Sequence, residues 1–251
     1  MTSLAVAVGV AFLMFAFGGL GLFLQRTLAD YHTSDRSRDM IGGVVGLITL
    51  LLALVLGLLI WTAFGVFNTQ KSELQVLSAR ALEFNLELSQ YGPEAKQGRE
   101  LLRTDLVWAH EQFWGDDDTR AAAYDASYAH MSSMSDFFSS LHPATDAQKQ
   151  LLAAAQQHYA FIGESRLLMS LQLADSISWP LIIAVTSWSC LLFCGLGMLS
   201  RINATTLVAL ALGACSVASA IFLILEFSEP YTSLLRVSPA GIEQVIVELD
   251  K

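Results

Sequence analysis

The sequence predicts an all-α integral membrane protein, with four transmembrane helices and a helical bundle inserted between the second and third. Three observations predict it. Of 251 residues, 54% are hydrophobic and only 15% charged, whereas a soluble domain carries about 25% charged residues. The apolar residues gather into four runs, each long enough to cross a hydrocarbon core of about 30 Å as a helix. The polar stretch between runs two and three has helical periodicity and no strand alternation. A mean hydropathy of +0.51 exceeds what one globular core absorbs at this length.

The runs are Leu4–Leu24, Ile41–Phe67, Trp179–Leu199 and Thr205–Leu225. The first differs from a secretory signal: no Lys or Arg precedes it, and it is longer than the usual apolar stretch of a leader. The second is longer than one crossing needs and is expected to emerge from the membrane as a continuous polar helix. Residues 1–67 and 179–225 thus form two transmembrane pairs, 68–178 a polar helical bundle, and 226–251 a C-terminal tail with a short amphipathic helix.

Within the polar stretch, which carries 8 of the 14 basic and 15 of the 23 acidic residues, four helices are expected. Leu74, Leu77, Ala81, Phe84 and Leu88 alternate at spacings of three and four, the seam of a packed helix, and Tyr91-Gly92-Pro93 ends it. Leu102, Leu106, Ala109 and Phe113 line a second helix, closed by Gly115 and Asp116 to Asp118. Tyr124, Tyr128, Met131 and Phe138 mark a third, stopped at His142-Pro143. Thr145 and Gln148 stand at capping-box spacing before a fourth with Leu152, Ala155, Tyr159, Ile162 and Met169. In the tail, Ser238-Pro239 opens a short helix whose face is Ile242, Val245, Ile246 and Leu249. It either lies on the membrane or docks on the bundle.

Charge excludes some functions. The net charge of −9 is opposite to the footprint of nucleic-acid binders. Cys190, Cys194 and Cys215 all lie in apolar runs and read as small hydrophobes. No catalytic constellation, phosphate loop or metal-ligand spacing occurs, so no enzymatic activity, cofactor or metal is expected. Asp116 to Asp118 read as a helix N-terminus, because consecutive acids lack the alternation of a calcium loop.

The candidate residues each have two readings. His32, Asp35, Arg38 and Asp39, in the link between the first two runs, either line a pore mouth or form a solvated loop in which Asp39 caps the next helix. Trp61, Phe64 and Phe67 either constrict a lumen that gates by dewetting or anchor the helix at the interface. Gly42 and Gly46, with the small faces around Gly213, allow close helix approach, within one subunit or between subunits. Glu226 ends the fourth run, where a carboxylate opposes the helix dipole; it either has a functional role, or snorkels to water or pairs with Arg236. Asn203 and Arg236 complete the polar residues at helix ends. Lys and Arg near the membrane ends balance: Arg26, Arg36, Arg38 and Arg201 against Lys71, Arg80, Arg166 and Arg236. Charge alone therefore leaves orientation open, although four crossings put both termini and the polar domain on one side.

Several segments together resemble the bestrophin-like family of bacterial four-helix membrane proteins. They are His32-Thr-Ser-Asp35, Phe67-Asn-Thr-Gln70, Tyr91-Gly-Pro-Glu-Ala-Lys96, Asn203-Ala-Thr205 and Ser219 to Glu226 through Pro230 to Arg236-Val-Ser-Pro239. The resemblance covers most of the chain. Two places depart from it: Ser228-Glu229-Pro230-Tyr231 stands where the family usually has Asp-Arg-Pro-Phe, and Ser200-Arg201-Ile202-Asn203 where it has Ala-Pro-Arg-Asn. A basic residue is lost or shifted at both. The resemblance implies a homo-oligomer, a pentamer as in most bestrophins, of ion-channel type in the inner membrane, with termini and polar domain cytoplasmic. Run two would line the pore and the polar bundle would form a vestibule; the permeant ion is unassigned. The rival expectation is a non-transporting sensor or scaffold acting through the bundle.

Overall fold

The structure, a computed structural model, describes residues 3–28, 35–115, 133–174 and 179–249. All regular elements among them are helical, with no strand. They are α1 (Ser3–Thr27), α2 (Asp35–Tyr91), α3 (Lys96–Trp114), α4 (133–140), α5 (Asp146–Ala174), α6 (Trp179–Leu199), α7 (Ala204–Ser228) and α8 (Ala240–Leu249). Helices α1, α2, α6 and α7 are long and apolar enough to cross a membrane. The chain divides into two compact units, residues 1–66 with 175–229, and residues 67–174 with 230–251.

In the first unit, α1 packs against α6 and α7. The α1–α6 contact is set by glycine: a Cβ at Gly21 would collide with the Cys194 carbonyl, and one at Gly197 with the backbone of Gly18 and Leu22. This close backbone approach brings many atoms into dispersion contact. Gly213 meets the Phe193 ring, and Gly195 abuts Val45. Gly42 and Gly46 face open space, so the intramolecular reading of that pair is corrected: the tightest small-residue approaches are on α1 and α6, with Gly213, Ala214 and Ala218 of α7 also packed. The core also takes Met14, Leu22, Leu52, Val185, Phe193 and Ile221.

The second unit is the helical bundle. α2 continues without a break to Tyr91, where Gly92 at φ 131° turns the chain, a conformation that glycine adopts without steric cost. The expected seams are buried: Leu74, Leu77, Ala81, Phe84 and Leu88 on α2, and Leu102, Leu106, Ala109 and Phe113 on α3. On α5, Ala155, Ile162 and Met169 are buried, while Leu152 and Tyr159 are partly so. The capping box forms as expected, Thr145 Oγ1 accepting from Gln148 N at 3.2 Å and Gln148 Oε1 accepting from Thr145 N at 3.3 Å. Tyr124, Tyr128, Met131 and Asp116 to Asp118 lie outside the described residues; in α4 the buried positions are Met134 and Phe137, with Phe138 partly covered. The tail helix α8 docks on α3 through Ile242, Val245 and Leu249.

Two polar networks run through this unit. Arg166 donates to Asp105 at 2.6 Å and to Gln112 at 3.1 Å, with Arg166 and Asp105 both buried. His158 lies between Glu83 and Glu87, 3.2 Å from each. Burial raises the Glu87 carboxyl above its ordinary value and the nearby Glu83 adds to the rise, while His158 opposes it.

Candidate functional site

From Ile41 to Gln70, α2 has no charged side chain. A charged side chain in the apolar part of this span would be costly in lipid, and the Leu, Val and Ala that fill it favour a regular helix. One row of this span, Ile41, Val45, Ile48, Leu52, Val55 and Leu59, faces the core of the first unit. The neighbouring row, Val44, Leu47, Leu51, Leu54, Leu58 and Trp61, is exposed. It alternates at spacings of three and four, the a/d pattern of a helix that packs against another helix. Only 6% of the most apolar 18-residue stretch of α2 is buried within the chain, against 28% in α1, 39% in α6 and 28% in α7.

The structure does not bring the three predicted aromatics together on one face. Trp61 is 74% exposed and Phe64 45%; Phe64 also meets Phe227 edge-on, with ring centroids 5.5 Å apart. Phe67 packs against the core of the second unit. At 3.6 residues per turn, Trp61 and Phe67 point about 120° apart around the helix, so Phe67 is not a third member of the exposed row.

The link residues also differ from expectation. α2 begins at Asp35, so Asp39 sits exposed in its second turn and does not cap it. Arg38 donates to the Leu199 carbonyl at 3.2 Å, placing a cation at the negative C-terminal end of α6. His32 and the Asp35 side chain lie outside the described residues. Asn203 caps α7, its Oδ1 accepting from Thr206 N at 2.7 Å, a structural role for that helix-end residue.

Glu226 is only 1% exposed. The snorkelling reading is therefore corrected: its carboxylate is enclosed at the end of α7. Arg236 is exposed and belongs to the second unit, whereas Glu226 belongs to the first.

Sequence reasoning missed a polar clamp in the second unit. Gln70 is fully buried; it accepts from the Tyr231 phenol at 2.9 Å and donates to the Met169 carbonyl at 3.4 Å. Tyr231 stacks among Phe113 and Trp114, each with a centroid 4.9 Å away, and burial, with Glu73 nearby, pushes its phenol above the ordinary value. Trp114 Nε1 donates to the Val237 carbonyl at 3.0 Å, and Val237 N to the Pro230 carbonyl at 2.7 Å. The available signal was a glutamine at helical spacing from Phe67 and Leu74. The exposed row was also readable, since its spacing is the one used for the bundle seams.

Chemically, the first unit offers apolar surface and, at the end of α7, an enclosed carboxylate. Among the described residues no group of three or more His, Cys, Asp or Glu side chains gathers to hold a metal. In comparison with known proteins, no curated protein and no solved structure matches the chain significantly. The family model described as the Bestrophin-like domain matches residues 10–242. That match spans both units and, with the four apolar helices, points to a membrane protein of ion-channel type. The chain belongs to the bestrophin-like family.

Proposed function

We propose that the protein is a homo-oligomeric ion channel, with α2 from neighbouring subunits lining the path and Trp61 and Phe64 forming its narrow apolar section. The observation that carries this reading is the uneven cover of the four spans: α2 is the one least buried by its own chain, at 6%, and it presents its exposed residues in a helix-packing register. Four helices with so few polar residues in their apolar spans do not enclose water alone, so a path requires several copies. The family similarity supports five subunits in the inner membrane, with termini and bundle in the cytoplasm. Because no charge lies on α2 from Ile41 to Gln70, such a path opens and closes by wetting. The reading assigns no catalysis.

Mass measurement of the purified protein in lipid nanodiscs tests it. The expected result is a single oligomeric species, weakened by Leu54→Asn on the exposed row. A monodisperse monomer contradicts it.

A further inference from the structure

The second unit carries a half-open cleft of about 500 Å³ between α2 and the start of α8. Phe67, Leu74, Val237 and Ala240 make its apolar wall, and Lys71 and Arg236 bring two cations to it. In a chain of net charge −9, no carboxylate among the described residues lines this cleft. Neither cation has an ion-pair partner among the described residues. The two hydroxyls differ. Ser78 donates its proton to the Leu74 carbonyl at 2.9 Å and is committed. Ser238 Oγ accepts from Ala240 N at 3.3 Å, which leaves its own proton to donate. The first turn of the ten-residue α8 also lines the cleft, adding the positive end of a helix dipole to the two side-chain charges.

We propose that this cleft binds the phosphate group of an amphiphilic phosphate ester of net negative charge, with Arg236 and Lys71 as the cations, which also repel a cationic headgroup such as choline, Ser238 as a neutral donor and the apolar wall receiving the adjoining carbon chain. A guanidinium takes two phosphate oxygens at once and an ammonium acts as a point charge beside it. Lys71 stands four residues beyond the last apolar position of run two, about 6 Å along the helix, the depth at which anionic headgroups meet basic residues. The lipid source rests on the membrane reading above, whereas the phosphate chemistry does not.

The test is retention of phosphatidylglycerol against phosphatidylcholine by the full-length protein, read by native mass spectrometry, with a separate titration of inorganic phosphate. Wild type is expected to prefer phosphatidylglycerol. The pair Lys71→Gln with Arg236→Gln lowers that preference about thirtyfold, Lys71→Arg with Arg236→Lys keeps it, and Lys149→Gln, an exposed cation elsewhere on the bundle, leaves it unchanged. Displacement of phosphatidylglycerol by inorganic phosphate shows that both occupy one phosphate site and supports the headgroup as occupant; inorganic phosphate bound without any preference for phosphatidylglycerol assigns a soluble phosphate and overturns the amphiphile. Equal retention of both lipids, or equal preference in wild type and the double Gln variant, overturns the proposal. Loss of preference with oligomer mass unchanged separates this site from the channel reading, which the mass measurement tests by itself.

Discussion

The phenol of Tyr231 donates to Gln70 Oε1 across 2.9 Å inside the bundle unit, joining the segment that follows α7 to the polar continuation of α2. Both side chains are buried, so water does not replace the bond when it is lost. Tyr231→Phe is expected to destabilise the protein by about 1 kcal/mol. Gln70→Leu, which leaves the phenol hydroxyl without its acceptor, costs about 1–3 kcal/mol. Thermal unfolding followed by circular dichroism checks both; an unchanged midpoint in Gln70→Leu contradicts the clamp.

Arg166 and Asp105 form a second buried connection, at 2.6 Å between α5 and α3. Removing one partner strands a desolvated charge, and Asp105→Ala is expected to cost about 3–5 kcal/mol. Urea unfolding of the detergent-solubilised protein measures it. An exposed control pair, Lys149 with Asp146, is expected to matter by less than about 1 kcal/mol.

The α1–α6 contact leaves no room for side chains at Gly21 and Gly197. Gly21→Leu forces the helices apart and is expected to abolish recovery of monodisperse protein, whereas Gly9→Leu, where nothing lies within 4 Å, is tolerated. Size-exclusion profiles of the two variants decide it; equal behaviour contradicts the crossing.

Partial burial is the chief cause that raises the Glu87 carboxyl above its ordinary value. A carboxyl whose folded pKa exceeds its unfolded pKa binds its proton more tightly in the folded state. Its contribution is thus fully present below 4.5, the unperturbed value, and is lost as pH rises through the folded pKa. Glu87→Gln is expected to flatten the stability profile between those two values, and stability curves parallel to wild type contradict the assignment.

The bundle was legible because its seams repeat at three and four, and each seam residue from Leu74 to Leu88 is buried. The Thr145–Gln148 cap was legible for the same local reason. Gln70 and Tyr231 were not, since their bond joins positions 161 residues apart in sequence and neither carries a local signal. Trp61, Phe64 and Phe67 were grouped by spacing alone; a step of three drifts about 60° around the helix each time, which carries Phe67 into a different core. The small-residue signal was sound as chemistry but misplaced, because Gly42 and Gly46 and the pair Gly21 and Gly197 look alike in sequence until a partner helix is known.

The central claim is that α2 lines an ion path. Current through a planar bilayer containing the purified oligomer under a salt gradient tests it most directly, comparing wild type with Trp61→Ser. The account predicts a current with a defined reversal potential in wild type, and a larger open fraction in the variant, because a hydroxyl favours wetting of the narrow section. Silence from a well-folded oligomer in both proteins, across voltage and pH, contradicts it and turns the reading toward a non-conducting sensor or scaffold.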